Sequence, residues 1–235
     1  MVKMVVFDLD GTLMNSLTDL AISVNYGLKL NGLEEKPVEN YKTYVGNGRE
    51  MLIRRAMGDA WTDHELFEKV KADYDRHYAV HCNDHTAAYD GCAEMLEKLA
   101  KKGLKTGVLS NKPDEFVDKM LKKAFPNHRF TQAWGQKPQY KTKPEPDALL
   151  ALLDMSGVTP EECFYVGDSD VDVFTANNAG VKMAGVSWGF RGKNELMNAG
   201  APFVADTAEE LFDYICKFIS VSYTHLRAHE TGAYL

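Results

Sequence analysis

Short apolar runs alternate with stretches of helical periodicity along most of the chain. Val2–Phe7, apolar and β-branched, reads as a strand buried on both faces of a parallel sheet. Lys105–Leu109, Phe130–Trp134, Cys163–Gly167, Lys182–Val186 and Phe203–Ala205 read as further strands. Helical spacing separates them. Met95, Leu96 and Leu99 mark a helix that ends at Gly103. Asp114 caps a helix running to Phe125, and Pro146 opens a Leu-rich one. Another ends at Asn178-Ala179-Gly180, and Leu211, Phe212, Ile215 and Ile219 lie on the last. This alternation predicts an α/β fold.

Residues 15–83 break the alternation. Ser16 with Asp19 reads as a capping box ahead of Leu17, Leu20, Ala21, Val24 and Leu28, and Gly32 as the stop. Met51, Leu52, Ile53 and Ala56 continue helically. Thr62 with Glu65 caps a long helix through Leu66, Phe67, Val70, Tyr74 and Tyr78, ending near Asn83. The segment is therefore expected to be an all-helical insertion after the first strand, with residues 1–14 and 84–219 forming the α/β core. Residues 220–235 do not continue the apolar periodicity. They are expected to be a non-native or disordered tail.

The chain has 235 residues, enough for one sizeable domain or a domain with an insertion, and 45% are hydrophobic, enough to bury a core. A net charge of −7 argues against nucleic acid as a partner. The apolar runs are too short to span a bilayer, and Asp8 comes too early for a signal peptide. Cys82, Cys92, Cys163 and Cys216 show no CxxC spacing and read as reduced thiols of a cytoplasmic protein. A monomer or homodimer is expected.

The candidate chemistry sits at strand ends. Asp8 and Asp10 follow the first strand, where open α/β sheets bind ligands. Asp-Gly is also a common turn pair, but a turn does not need two carboxylates behind a buried strand. Two anions this close call for a shared proton or a cation. Oxygen ligands with no neighbouring His or Cys favour Mg²⁺. Asp8 is then a candidate nucleophile toward phosphorus, and Asp10 its acid/base partner. Ser110-Asn111-Lys112 ends a later strand, where a hydroxyl and an amide can donate to phosphate oxygens. Lys143, just before the Leu-rich helix, is preferred to Lys137 and Lys141 as a fixed positive charge. Asp168, Asp170 and Asp172 crowd a third strand end and point to a cation site.

Two other clusters are weaker. Gly46-Asn47-Gly48-Arg49 offers backbone N–H groups and a charge, but also reads as an ordinary loop. His77, His81, Cys82 and His85 have a spacing that can bind zinc, yet lack the H-E-x-x-H pattern. Solvated or interface histidines are the preferred reading.

Asp8-Leu-Asp10-Gly11-Thr12-Leu13, Ser110-Asn111, Lys143-Pro144 and Gly167-Asp168-Ser169-Asp170-Val171-Asp172 resemble, in order, the four motifs of the haloacid dehalogenase superfamily. The resemblance covers residues 1–219. It implies a Rossmann-like parallel sheet with helices on both faces and an inserted helical cap that opens and closes. It also implies Mg²⁺-dependent phosphoryl transfer through an aspartyl-phosphate on Asp8. Asp10 would protonate the leaving group and then activate water, with its backbone carbonyl on the metal. Asp168 would ligate the metal beside Asp8, and Asp172 would support the metal's water shell. Ser110, Asn111 and Lys143 would bind phosphate.

Gly46-Asn47-Gly48-Arg49-Glu50-Met51-Leu52-Ile53 and Ser187-Trp188-Gly189-Phe190-Arg191-Gly192 look most like phosphoglycolate phosphatases. Asn47, Gly48 and Arg49 are the cap's substrate candidates, and Asn15 departs from the Asp common among relatives. The expected substrate is a small phosphorylated metabolite. A phosphosugar mutase and an inorganic pyrophosphatase are the enzymatic alternatives, and a non-catalytic binding module is the alternative of another class.

Overall fold

The computed structural model describes residues 1–219; the expected tail, 220–235, lies outside the described residues. Strand β1 (Met4–Phe7) leads through a short strand β2 (Met14–Asn15) into helices α1 (Leu17–Leu30), α2 (Tyr41–Tyr44), α3 (Gly48–Met57) and α4 (His64–His81). A second short strand, β3 (Ala87–Ala88), follows. Then come α5 (Cys92–Lys101), β4 (Lys105–Pro113), α6 (Asp114–Ala124), β5 (Gln132–Gln136) and α7 (Asp147–Met155). The chain continues with β6 (Cys163–Gly167), α8 (Asp170–Ala179), β7 (Lys182–Val186), α9 (Gly192–Asn198), β8 (Val204–Ala205) and α10 (Ala208–Cys216).

Six strands form one sheet in the order β5-β4-β1-β6-β7-β8, all parallel. β1 is central, with Phe7 beside Val108 of β4 and Val166 of β6. The alternation of a strand explains the two cores. Val5 and Phe7 join the cluster built with α5, α6 and α10, whereas Met4 and Val6 join the one built with α7, α8 and α9. Both faces of β1 are thus covered, as its continuous apolar run requires. The chain runs from β1 to β4 and β5 on one side, then returns to β6 on the other. That reversal opens a crevice at the carboxyl ends of β1, β4 and β6.

β2 and β3 pair antiparallel, so the chain entering the helical segment is tied to the chain leaving it. Inside the segment, α1 packs along α4. Gly27 permits the close approach, since a Cβ there would sit 2.8 Å from the Val70 carbonyl. Among the described residues, no helix is long and apolar enough to cross a membrane.

Several local expectations are corrected. Ser16 precedes α1 but makes no capping bond; its hydroxyl donates to Asp10 instead. Asp19 accepts hydrogen bonds from the backbone N–H groups of His85 and Thr86 and from the Thr86 hydroxyl. Both residues of that supposed box have distant partners, which a four-residue pattern cannot reveal. The cap of α4 is Asp63, not Thr62, and it accepts from the Leu66 N–H at 3.1 Å. Pro113 stands at the N-cap of α6, while Asp114 reaches across to the Gly135 N–H and Lys137. β4 runs on to Pro113, and β5 begins at Gln132 rather than Phe130.

Candidate active site

β1 delivers Asp8 to the crevice, where Oδ1 accepts from the Leu9 N–H at 2.7 Å. Lys143, from the loop before α7, places Nζ 2.9 Å from the same oxygen. It also lies 2.7 Å from Asp172 on α8 and 3.1 Å from the Tyr165 hydroxyl on β6. Lys143 is buried, and its backbone is clamped: its N–H donates to Asn111 Oδ1, and its carbonyl accepts from Asn111 Nδ2. Of the three candidate lysines, Lys137 pairs with Asp114 and Lys141 is exposed, so Lys143 is the one that reaches Asp8.

Asp168 ends β6 and turns into the same crevice. Its Oδ2 accepts from the Phe190 N–H at 2.7 Å, and its Oδ1 from the Thr12 hydroxyl at 3.3 Å. Gly11, at φ +88°, and Gly189 pack directly on this carboxylate, and a Cβ at either would overlap it. The Gly-Phe stretch is thus a wall moulded to one side chain.

Oxygen atoms of Asp8, Asp168 and Asp172 lie within 4.8 Å of one another. Burial, the larger influence, pushes the Asp8 carboxyl up to about 7, and neighbouring Asp172 and Asp10 add to the rise while Lys143 opposes it. Asp168 is raised as well, first by burial and then by Asp172 and Asp8. One ammonium does not offset three buried carboxylates, and a divalent cation bound among them would. The donor set is oxygen only, which suits Mg²⁺ rather than a softer metal. Asp172 is already saturated: Oδ1 faces Lys143 and Tyr165, and Oδ2 accepts from the Ser169 N–H and hydroxyl. That leaves Asp8 and Asp168 as the freer ligands, with Asp172 holding Lys143 in place.

The Asp10 side chain turns away from this trio. Ser16 donates to it at 2.5 Å, and Lys112 Nζ lies 3.1 Å from both carboxylate oxygens. Asp8, Asp10, Ser110, Asn111 and Lys112 line one cavity that opens to solvent. Its far wall comes from the helical segment: Leu20, Val45, Gly46, Gly48, Arg49, Leu52 and Tyr74. Two core side chains hold that wall shut, Asn111 donating to the Gly46 carbonyl and Arg191 to the Val45 carbonyl, each at 3.0 Å.

The remaining candidates divide. Ser110 is buried in the cavity wall, and its hydroxyl accepts from the Lys112 N–H. The Asn111 amide is fully engaged with Lys143 and Gly46, so its side chain positions both. Gly48 and Arg49 line the cavity, but Arg49 is held by both oxygens of Asp75. Asn47 lies outside, accepting from Arg55. The His77 and His81 rings lie 4.3 Å apart, but each histidine has its own partner: His77 bonds Ser23, His81 bonds Asp84, His85 bonds Asp19, and Cys82 is buried. Lys112, Tyr165, Ser16 and Arg191 were missed as site residues. Continuing the expected strand by three residues would have placed Lys112 on the same face as Ser110. A tyrosine hydroxyl within the buried Cys163–Gly167 run also needed a partner.

A doubly covered parallel sheet with buried carboxylates and an ammonium at its switch point defines a hydrolase core. The sequence matches the haloacid dehalogenase-like hydrolase family over residues 5–186, and the chain belongs to that family. It is 34% identical over 215 residues to a phosphoglycolate phosphatase of Pseudomonas putida, covering 90% of this chain and 76% of the relative. It is 32% identical over 219 residues to the phosphoglycolate phosphatase of Vibrio parahaemolyticus, covering 91% and 96%. A crystal structure from Lactobacillus delbrueckii subsp. bulgaricus, proposed to be a phosphoglycolate phosphatase, superposes with a TM-score of 0.86 at 31% identity. That match covers 91% of this chain and 98% of the other.

Proposed function

We propose that the chain is a Mg²⁺-dependent phosphomonoester hydrolase that works through an aspartyl-phosphate on Asp8, with phosphoglycolate or a related small phosphorylated acid as substrate. The observation that carries this reading is the meeting of Asp8, Lys143 and Asp168 at one strand-end crevice. Asp8, Asp168 and the Asp10 backbone carbonyl would hold Mg²⁺, which supplies positive charge against the phosphoryl oxygens. The Asp8 carboxylate attacks phosphorus. The ester P–O bond breaks as Asp10 gives its proton to the departing oxygen. Asp10 then takes a proton from water, the water oxygen bonds to phosphorus, and the Asp8–phosphorus bond breaks to release phosphate. Lys143 and Ser110 hold the phosphoryl oxygens throughout, since such transfer is largely positioning and charge stabilisation. Asn111 acts through its grip on Lys143. The helical segment acts as the cap that excludes bulk water during chemistry.

The mutase alternative needs an acid/base group from the cap in the cavity. His77, His81 and His85 are not among the residues lining it. The free cysteines fit a reducing compartment, in keeping with a cytoplasmic enzyme. The direct test is phosphate release from phosphoglycolate, hexose phosphates, nucleotides and pyrophosphate, with Mg²⁺ and with EDTA. Release from small phosphorylated acids only in Mg²⁺ is expected. No release from any monoester overturns the reading, and pyrophosphate as the best substrate replaces it.

A further inference from the structure

We propose that Lys112 sets the substrate class by receiving an anionic group carried on the leaving group, one methylene from the bridging oxygen. The inference rests on the hydrolase reading, in which Asp10 meets that oxygen. Lys112 is buried in the cavity wall beside Asp10. Its ammonium has three N–H donors. Asp10 takes two of them, at 3.1 Å each, and the Tyr78 ring faces the nitrogen at 4.8 Å. The third donor has no hydrogen-bond acceptor among the described residues. A buried donor with no acceptor is unfavourable, the more so on a charged group.

The other cations of this cavity also carry ion pairs: Lys143 serves Asp8 and Asp172, and Arg49 gives Nη1 to both oxygens of Asp75. Lys112 is the one beside Asp10, and so the one placed to meet a second anion next to the bridging oxygen. The reach is right. An Asp10 oxygen 3.1 Å from Nζ, hydrogen-bonded to a bridging oxygen at about 2.7 Å, puts that oxygen within about 6 Å of Nζ. With bonds of about 1.2–1.5 Å, a carboxylate on the next carbon carries its oxygens roughly 3–4 Å further along, within hydrogen-bond distance of the ammonium. An isobutyl group there has the same number of heavy atoms, branched at the same carbon, and offers the ammonium nothing. Leu20 and Leu52 line the same cavity and offer no hydrogen bond in the anion's place.

The test compares phosphoglycolate with isobutyl phosphate, a pair alike in heavy-atom count and branching and unlike in charge, on wild type, Lys112→Met and Lys112→Arg. In wild type, kcat/KM is expected to favour phosphoglycolate. In Lys112→Met that preference falls at least about tenfold, the lower end for a lost hydrogen bond to a charged group, on top of whatever both esters lose through Asp10. Lys112→Arg recovers most of it. An unchanged ratio overturns the proposal. So does an equal loss on both esters, which would make Lys112 a support for Asp10 alone. Thermal melts report whether the variants fold. If neither does, wild type decides: equal kcat/KM on the two esters overturns the proposal, and a clear excess for phosphoglycolate upholds it. Failure to release phosphate from any ester would instead strike the hydrolase reading.

Discussion

Asp8→Asn exposes the tension between stability and function at the end of β1. The native protein holds the Asp8 carboxyl at about 7, against 3.8 for an unperturbed aspartate, chiefly through burial. A carboxyl whose pKa is raised on folding keeps a proton that the unfolded chain gives up. Its contribution therefore becomes less favourable as pH rises from about 4 to about 7, and the full penalty is present above pH 7. The shift from 3.8 to about 7 is worth ~4 kcal/mol at 1.36 kcal/mol per pH unit, an upper value for a site that also contains Lys143. Asparagine has nearly the same shape and no charge. In EDTA, Asp8→Asn is expected to be more stable than wild type by about 2–4 kcal/mol at pH 8 and equal to it near pH 4. The same variant is expected to have no turnover.

Urea unfolding in EDTA at pH 4, 6 and 8, read by circular dichroism, measures the difference. Mg²⁺ narrows the gap. At 100 times its Kd it adds about 2.7 kcal/mol to wild type and less to the variant, which has lost one ligand. A pH-independent difference, or a variant less stable than wild type in EDTA at pH 8, refutes the reasoning about burial. Wild-type turnover by Asp8→Asn refutes the nucleophile assignment.

Tyr165→Phe removes the hydroxyl shared by Lys143 and Asp172 while keeping the ring in the core. It should lower kcat several-fold with little change in KM and cost about 1 kcal/mol in denaturant unfolding; no change in either measurement counts against the positioning role. Asp19→Asn weakens the clasp on His85 and Thr86 and should cost about 2–3 kcal/mol at pH 7. Burial raises the Asp19 carboxyl, but bonds from Thr86 and His85 outweigh it and the net shift is downward. Its stabilising share is present above pH 4 and lost as pH falls through the lowered value, so wild type and variant should converge in acid unfolding; a constant gap contradicts this.

What was legible in the sequence follows from where each partner lies. β1 and β6 show themselves because both faces are buried, and the acids of Asp8-Leu-Asp10 and Asp168–Asp172 sit beside those runs. The last residues of β4 were hidden because Ser110, Asn111 and Lys112 are polar yet buried, and the partners of Asn111 and Lys112 lie far along the chain. Ser16 and Asp19 misled for the same reason, since their spacing imitates a local cap while their bonds reach Asp10 and Thr86. Arg191 was visible only as part of the Ser187–Gly192 stretch; its contact with the helical segment was not, because the partner is a backbone carbonyl, and any residue at Val45 would supply one.

The central claim is that Asp8 becomes phosphorylated. Acid quench of a reaction with phosphoglycolate and Mg²⁺, followed by borohydride reduction and peptide mapping, should convert residue 8 to homoserine, with no conversion in EDTA. Turnover that leaves Asp8 unmodified, or modification of a different side chain, would contradict the account.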